Sequence, residues 1–152
     1  MYILYDLLFN KYFIAPAAAW IVAQVIKNLI DSKRCGFNKE KLGESGGMPS
    51  SHAATVVALI AFTGANLGLG SFEFAIAFFF GFITLYDARG VRFEAQRHGR
   101  ALNNLNEERE EEGKQPLDIK RFKEKMGHTM SELVAGGVIG IICAAFVYYL
   151  PI

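Results

Sequence analysis

LVAGGVIGIICAAFVYYL, residues 133–150, is an apolar run without a single charge. As a helix it rises about 27 Å, close to the roughly 30 Å hydrocarbon core of a bilayer, and a helix pairs every backbone N–H and C=O within itself, as lipid demands. Three further apolar blocks precede it, from about Tyr12 to Ile30, His52 to Leu69 and Phe72 to Tyr86. The last is short by strict count, but Phe78, Phe79, Phe80 and Phe82 make it so apolar that a soluble core helix is the poorer reading. This pattern predicts an all-α, polytopic membrane protein with about four transmembrane helices (12–30, 52–69, 72–86 and 133–150) in a single membrane-embedded domain, residues 1–152.

The rest of the composition agrees. Of 152 residues 52% are hydrophobic and 13% aromatic, gathered in long blocks between charged segments. No basic region precedes the first apolar run and no small-residue cleavage site follows it, so the first helix is expected to stay in place. Cys35 and Cys143 make neither a disulfide framework nor a metal-binding spacing, and Cys143 reads as a small core residue.

Four spans put segments 31–51 and 87–128 on one side of the membrane and both termini on the other. Fourteen of the 16 Lys and Arg lie in those two segments. The positive-inside rule therefore predicts cytoplasmic segments 31–51 and 87–128, with the termini outside. The long segment also carries nine acids, so its charge nearly balances and a nucleic-acid surface is not expected. Within it a cytoplasmic helical segment is expected between the third and fourth spans. Glu107–Glu112 reads as a solvated helix end before a turn at Gly113–Pro116. Ile119, Phe122 and Met126, interleaved with Lys120, Arg121, Lys123 and Lys125, have the spacing of a short amphipathic helix on the membrane surface.

Three clusters at the ends of the apolar blocks carry candidate chemistry. In Gly46-Gly47-Met48-Pro49-Ser50-Ser51-His52, serines able to cap free N–H groups open a helix whose N-terminus attracts anions, and Ser50 and Ser51 with His52 are candidate phosphate contacts. An ordinary capped helix is the plain alternative. In His128-Thr129-Met130-Ser131-Glu132, a His and a Glu four apart on one helix face would let the carboxylate orient the imidazole as nucleophile or base. In Asp87-Ala88-Arg89-Gly90-Val91-Arg92, two arginines three apart on a continuing helix would share a face and grip phosphate oxygens, unless they simply end the span. Gln24, Lys27 and Asp31 form a polar stripe on the first helix; Lys27 either snorkels to the interface or adds a charge to the phosphate. His98 reads as a surface residue.

Together these residues resemble the small bacterial and plastid family related to acid phosphatases and vanadium-dependent haloperoxidases, a divergent relative of the type 2 phosphatidic acid phosphatase superfamily. The likeness rests on the Lys27 region, Met48–His52, Tyr86–Arg92, Leu102-Asn103 and Gly127–Glu132. It implies that His128 attacks phosphorus to form a phosphohistidine, that Glu132 orients it, and that His52 protonates the leaving alkoxide. Ser51 stands where the superfamily has glycine, and Glu132 where it has aspartate. The superfamily's Ser-Arg pair is missing: Phe122 occupies the expected arginine position and Arg121 is one residue off. Arg89 and Arg92 are the expected substitutes at the phosphate, and Lys27 and Asp87 are further candidate substrate-binding residues. Four spans instead of six would make a homodimer the way to complete a site.

The resemblance implies an integral protein of a bacterial plasma membrane or plastid membrane, without metal or other cofactor. It would hydrolyse a lipid phosphomonoester at the cytoplasmic face, phosphatidylglycerophosphate or phosphatidate being favoured because both are made on that side. Undecaprenyl diphosphate is the alternative substrate. A two-metal head-group phosphotransferase is a poorer reading, because the residues after Arg89 lack the required aspartates. A catalytically degenerate membrane protein that binds anionic lipid is the reading from a different class.

Overall fold

The computed structural model describes residues 9–35, 47–124 and 126–151; Lys39, Lys41, Gly46, Lys125 and the side chains of Arg34 and Cys35 lie outside the described residues. Among the described residues five helices follow in order: α1 (Lys11–Cys35), α2 (Ser51–Leu67), α3 (Phe72–Arg89), α4 (Val91–Glu111) and α5 (Met130–Tyr148). There is no strand among the described residues. The helices that contain α1, α3 and α5 are long and apolar enough to cross a membrane; α2, with 17 residues, is shorter. The protein is an all-helical, polytopic membrane protein. Trp20 and Leu29 on α1, Phe79 and Ile83 on α3, and Ile142 and Phe146 on α5 are all exposed, an apolar outer surface far too extensive for water but suited to lipid.

Small residues hold the bundle together. α2 is the central helix and packs against α5, α1 and α3, with the α2–α5 interface the most extensive. Ala15, Ala19 and Ala23 recur every four residues on α1 and are fully buried, as are Ala54 and Ala58 on α2. Gly140 of α5 lies so close to α2 that an added Cβ would sit 2.5 Å from the Ala54 carbonyl oxygen and 2.9 Å from the Ala58 nitrogen. Gly136, one turn earlier, meets the Ser50 carbonyl in the same way. This small-residue seam brings the two backbones together, which suits lipid, where packing rather than water exclusion drives helix association. Cys143 is buried in the same core, as expected of a small apolar residue.

Two sets of contacts fix the ends. Away from the candidate site, the Lys11 ammonium donates to the Leu150 carbonyl at 2.5 Å and the Asn66 amide to the Tyr12 hydroxyl at 2.7 Å. α2 and α3 are joined there by a tight turn in which Gly68 takes φ +83° and the Ser71 hydroxyl caps α3 by accepting from the Phe74 N–H. At the opposite end α3 runs past Tyr86 to Arg89, breaks at Gly90 (φ −90°, ψ −91°) and continues as the polar helix α4. As expected, α4 ends at the glutamate run, and a turn follows with Gly113 at φ +70°.

The return from α4 differs from the expected amphipathic helix. The described part of residues 112–128 is non-helical and is held by side-chain amides of α4. Asn103 exchanges two 3.0 Å hydrogen bonds with the Phe122 backbone, donating to its carbonyl and accepting from its N–H. Asn106 accepts from the Leu117 N–H at 2.6 Å, and Gln96 accepts from the N–H groups of both Met126 and Gly127 at 3.0 Å. Gln96, Asn103 and Asn106 share one face of α4 with Gly99, over which Phe122 lies. These amides take the place of a strand partner, so the segment needs no helix to satisfy its backbone.

Candidate active site

The C-terminal ends of α1 and α3 and the N-terminal ends of α2 and α5 meet at one end of the bundle. Ser50 caps α2: its hydroxyl accepts from the Ala53 N–H at 3.3 Å, and its own N–H donates to the Glu132 carbonyl of α5 at 3.1 Å. The cis Met48–Pro49 bond leads into that cap, and Ser51 opens the helix almost fully buried. His52 follows in the first turn, with its ring 5.6 Å, centroid to centroid, from that of His128 and nearly perpendicular to it.

His128 does not lie on the helix that Glu132 occupies. Thr129 is the N-cap of α5: its hydroxyl accepts from the Glu132 N–H, while the Glu132 carboxylate reaches back to the Thr129 N–H at 3.0 Å. That reciprocal capping box takes up the carboxylate, which corrects the expected His128–Glu132 hydrogen bond. Three successive N–H groups instead tie the main chain to three helices: Gly127 to Gln96 of α4, His128 to the Ala88 carbonyl of α3 at 3.1 Å, and Thr129 to Glu132 of α5. Gly127 has no room for a side chain, since a Cβ would strike the Phe93 backbone.

The His128 ring is 1% exposed, and among the described residues neither of its nitrogens has a hydrogen-bond partner. A buried polar group left unpaired costs about 1–3 kcal/mol, so an orphaned imidazole between two helix N-termini is a site arranged for something other than stability. Burial, and then the positive fields of His52, Lys27 and Arg92, push its pKa down to about 4. It is therefore neutral at pH 7, with a nitrogen lone pair available.

Lys27 and Arg92 supply the positive charge here. Lys27 is buried on α1, and Gly47 folds over it at φ +115°, where a Cβ would lie 3.2 Å from the Lys27 Cε and 4.0 Å from the Asp31 carboxylate. Arg92 pairs with Asp87 at 2.5 Å, and the fields of Arg92, Lys27 and Asp87 all reach His52. Arg89 stands apart. The break at Gly90 removes the shared helix face expected for Arg89 and Arg92, and the Arg89 guanidinium lies over the Phe93 ring at 5.0 Å. Arg121 pairs with Glu107 and Glu124 beside α4. Among the described residues no three His, Cys, Asp or Glu side chains gather as a metal site would require. The arrangement can hold a tetrahedral anion against two helix N-termini, two cations and two imidazoles.

Residues 8–143 match the model of the Divergent PAP2 family. The chain belongs to the Divergent PAP2 family. It is also 35% identical to the uncharacterized membrane protein YuiD of Bacillus subtilis, over 95% of this chain and 98% of that protein. No solved structure matches it. Sequence reasoning missed two features of this Divergent PAP2 site. Thr129-Met130-Ser131-Glu132 carries the capping-box signature, and Gly136 and Gly140 the four-residue spacing of a close helix contact; both signals are local and readable.

Proposed function

We propose that this protein is a histidine-dependent lipid phosphatase acting on a phosphomonoester of a membrane lipid. The observation that carries the reading is the orphaned, buried His128 ring facing His52 at 5.6 Å where two helix N-termini and two cations converge. A neutral His128 nitrogen attacks phosphorus; the P–O bond to the lipid breaks as the P–N bond forms, and the alkoxide takes its proton from the imidazolium of His52. Water, deprotonated by the now neutral His52, then cleaves the P–N bond, which releases phosphate and restores both rings. The two helix N-termini, Lys27 and Arg92 stabilise the equatorial oxygens throughout.

The distribution of Lys and Arg favours a cytoplasmic site, and with it phosphatidylglycerophosphate or phosphatidate over undecaprenyl diphosphate. Phosphate release by detergent-purified protein from these three lipids, with and without chelator, tests the reading, with His128→Ala as control. Chelator-resistant release that disappears in the variant supports it; no release from any lipid refutes it. Labelling of Cys35 only from outside intact cells would refute the orientation. One observation favours a second reading, an anionic-lipid binder without turnover: among the described residues no side chain hydrogen-bonds either His128 nitrogen to fix its tautomer.

A further inference from the structure

An apolar groove of about 660 Å³ opens between α3 and α5 on the lipid-facing side of the bundle. Phe82 of α3 and Val134 and Ile141 of α5 line it, with Val57 of α2 and Gly137 beside them. Gly137 leaves the space open: a Cβ there would meet only Val57, at an ordinary 3.7 Å, in contrast to the seam glycines on either side of it. Arg89, the one charged lining residue among the described residues, marks the end nearest the candidate site. Arg89 adjoins Ala88, whose carbonyl holds the His128 N–H, and Met130, two residues beyond His128, also lines the groove. From Met130 to Ile141 the groove follows α5 for about 16 Å, the depth of one leaflet of a roughly 30 Å hydrocarbon core.

We propose that this groove seats one acyl chain of a leaflet lipid whose anionic phosphate is held at its mouth by Arg89. The inference rests on the phosphatase reading for the identity of the head group. It gives Arg89 a task different from that of Arg92: Arg92 adds charge around the histidines, while Arg89 selects lipids in which a phosphate sits directly above a chain. Among the described residues Arg89 has no carboxylate partner, and its position over Phe93 keeps the guanidinium at the groove end. Charge at the mouth and apolar walls over one leaflet's depth match a phospholipid better than a soluble phosphate.

The test uses the full chain in phosphatidylcholine vesicles carrying a trace of phosphatidate with a diazirine midway along one acyl chain. A matched diacylglycerol probe lacks the phosphate. Photolabelled peptides are mapped by mass spectrometry. Phosphatidate label should concentrate on residues 133–141 and 82–86 rather than on the outward Phe79 and Phe146, and the diacylglycerol label should not. Arg89→Gln should lower the phosphatidate label roughly tenfold, the scale of one charge-assisted hydrogen bond. Gly137→Phe should displace it, as should Val134→Phe, which changes an exposed position and leaves helix packing alone. Label that spreads evenly for both probes, or that ignores both groove-filling variants, overturns the proposal. His128→Ala separates the two readings: label retained while turnover is lost leaves both standing, label in the groove without turnover in the unaltered protein removes only the phosphatase, and turnover without groove label removes only the groove.

Discussion

Replacing Gly140 and Gly137 by alanine, one at a time, should move stability in opposite directions although the two lie three residues apart on one helix. At Gly140 the new methyl would stand 2.5 Å from the Ala54 carbonyl oxygen and 2.9 Å from the Ala58 nitrogen, both main-chain atoms that cannot swing aside. Restoring ordinary contact requires α5 to retreat from α2 by nearly an ångström, and overpacking of this kind costs about 1–3 kcal/mol. Alanine's better helix propensity returns at most about 1 kcal/mol, leaving Gly140→Ala destabilised by up to about 2 kcal/mol. At Gly137 the methyl meets only Val57 at 3.7 Å, so the propensity gain of about 0.5–1 kcal/mol stands alone. Unfolding of both variants in mixed detergent micelles, followed by far-UV circular dichroism, gives the comparison. A Gly140→Ala protein as stable as Gly137→Ala would refute the close α2–α5 seam, and with it the approach of Ser50 to Glu132 on which the site is built.

Acid should weaken the fold through His128. The unfolded chain protonates this residue near pH 6.5 and the folded chain only near pH 4, so between those values the unfolded state binds more protons and stability falls as pH falls, by up to about 3 kcal/mol. His128→Gln should flatten that slope in denaturation curves taken between pH 7 and pH 4; an unchanged slope would show that the imidazole is not held neutral. Glu132→Gln preserves a side chain able to close the capping box, so stability should stay within about 0.5 kcal/mol, whereas Thr129→Ala should cost about 1 kcal/mol. Turnover lost in Glu132→Gln at unchanged stability would show that the carboxylate has a chemical task beyond capping. Asn103→Leu leaves the Phe122 N–H and carbonyl without their partner and should speed limited proteolysis within residues 117–124, with a cost of about 1–3 kcal/mol; cleavage at the unaltered rate would contradict the amide clamp.

Helical membrane architecture was legible because it depends on long runs: apolar blocks that open at His52, Phe72 and Leu133 leave the chain few alternatives in lipid. The gathering of His52 with His128 was legible only through their places at the starts of two apolar blocks. What sequence spacing misjudged were the points where a local competitor intervenes. His128 and Glu132 have the spacing of a helical pair, but Thr129 is a better N-cap than His128 and starts the helix one residue too late. Arg89 and Arg92 have the spacing of a shared face, but Gly90 interrupts the helix between them. Ile119, Phe122 and Met126 have helical periodicity, yet the amides of Gln96, Asn103 and Asn106 offer the backbone a better arrangement, and nothing in the 117–126 stretch itself reveals partners lying 11, 19 and 30 residues upstream.

The three peptide N–H bonds at Gly127, His128 and Thr129 separate scaffold from tool. Whatever side chain occupies position 128, its main chain remains fastened to α3 and its neighbours to α4 and α5, because none of those ties passes through the ring. Removing the imidazole therefore leaves the junction of three helices intact. The same independence leaves position 128 open to change: a descendant of this protein can exchange the side chain there and keep its fold.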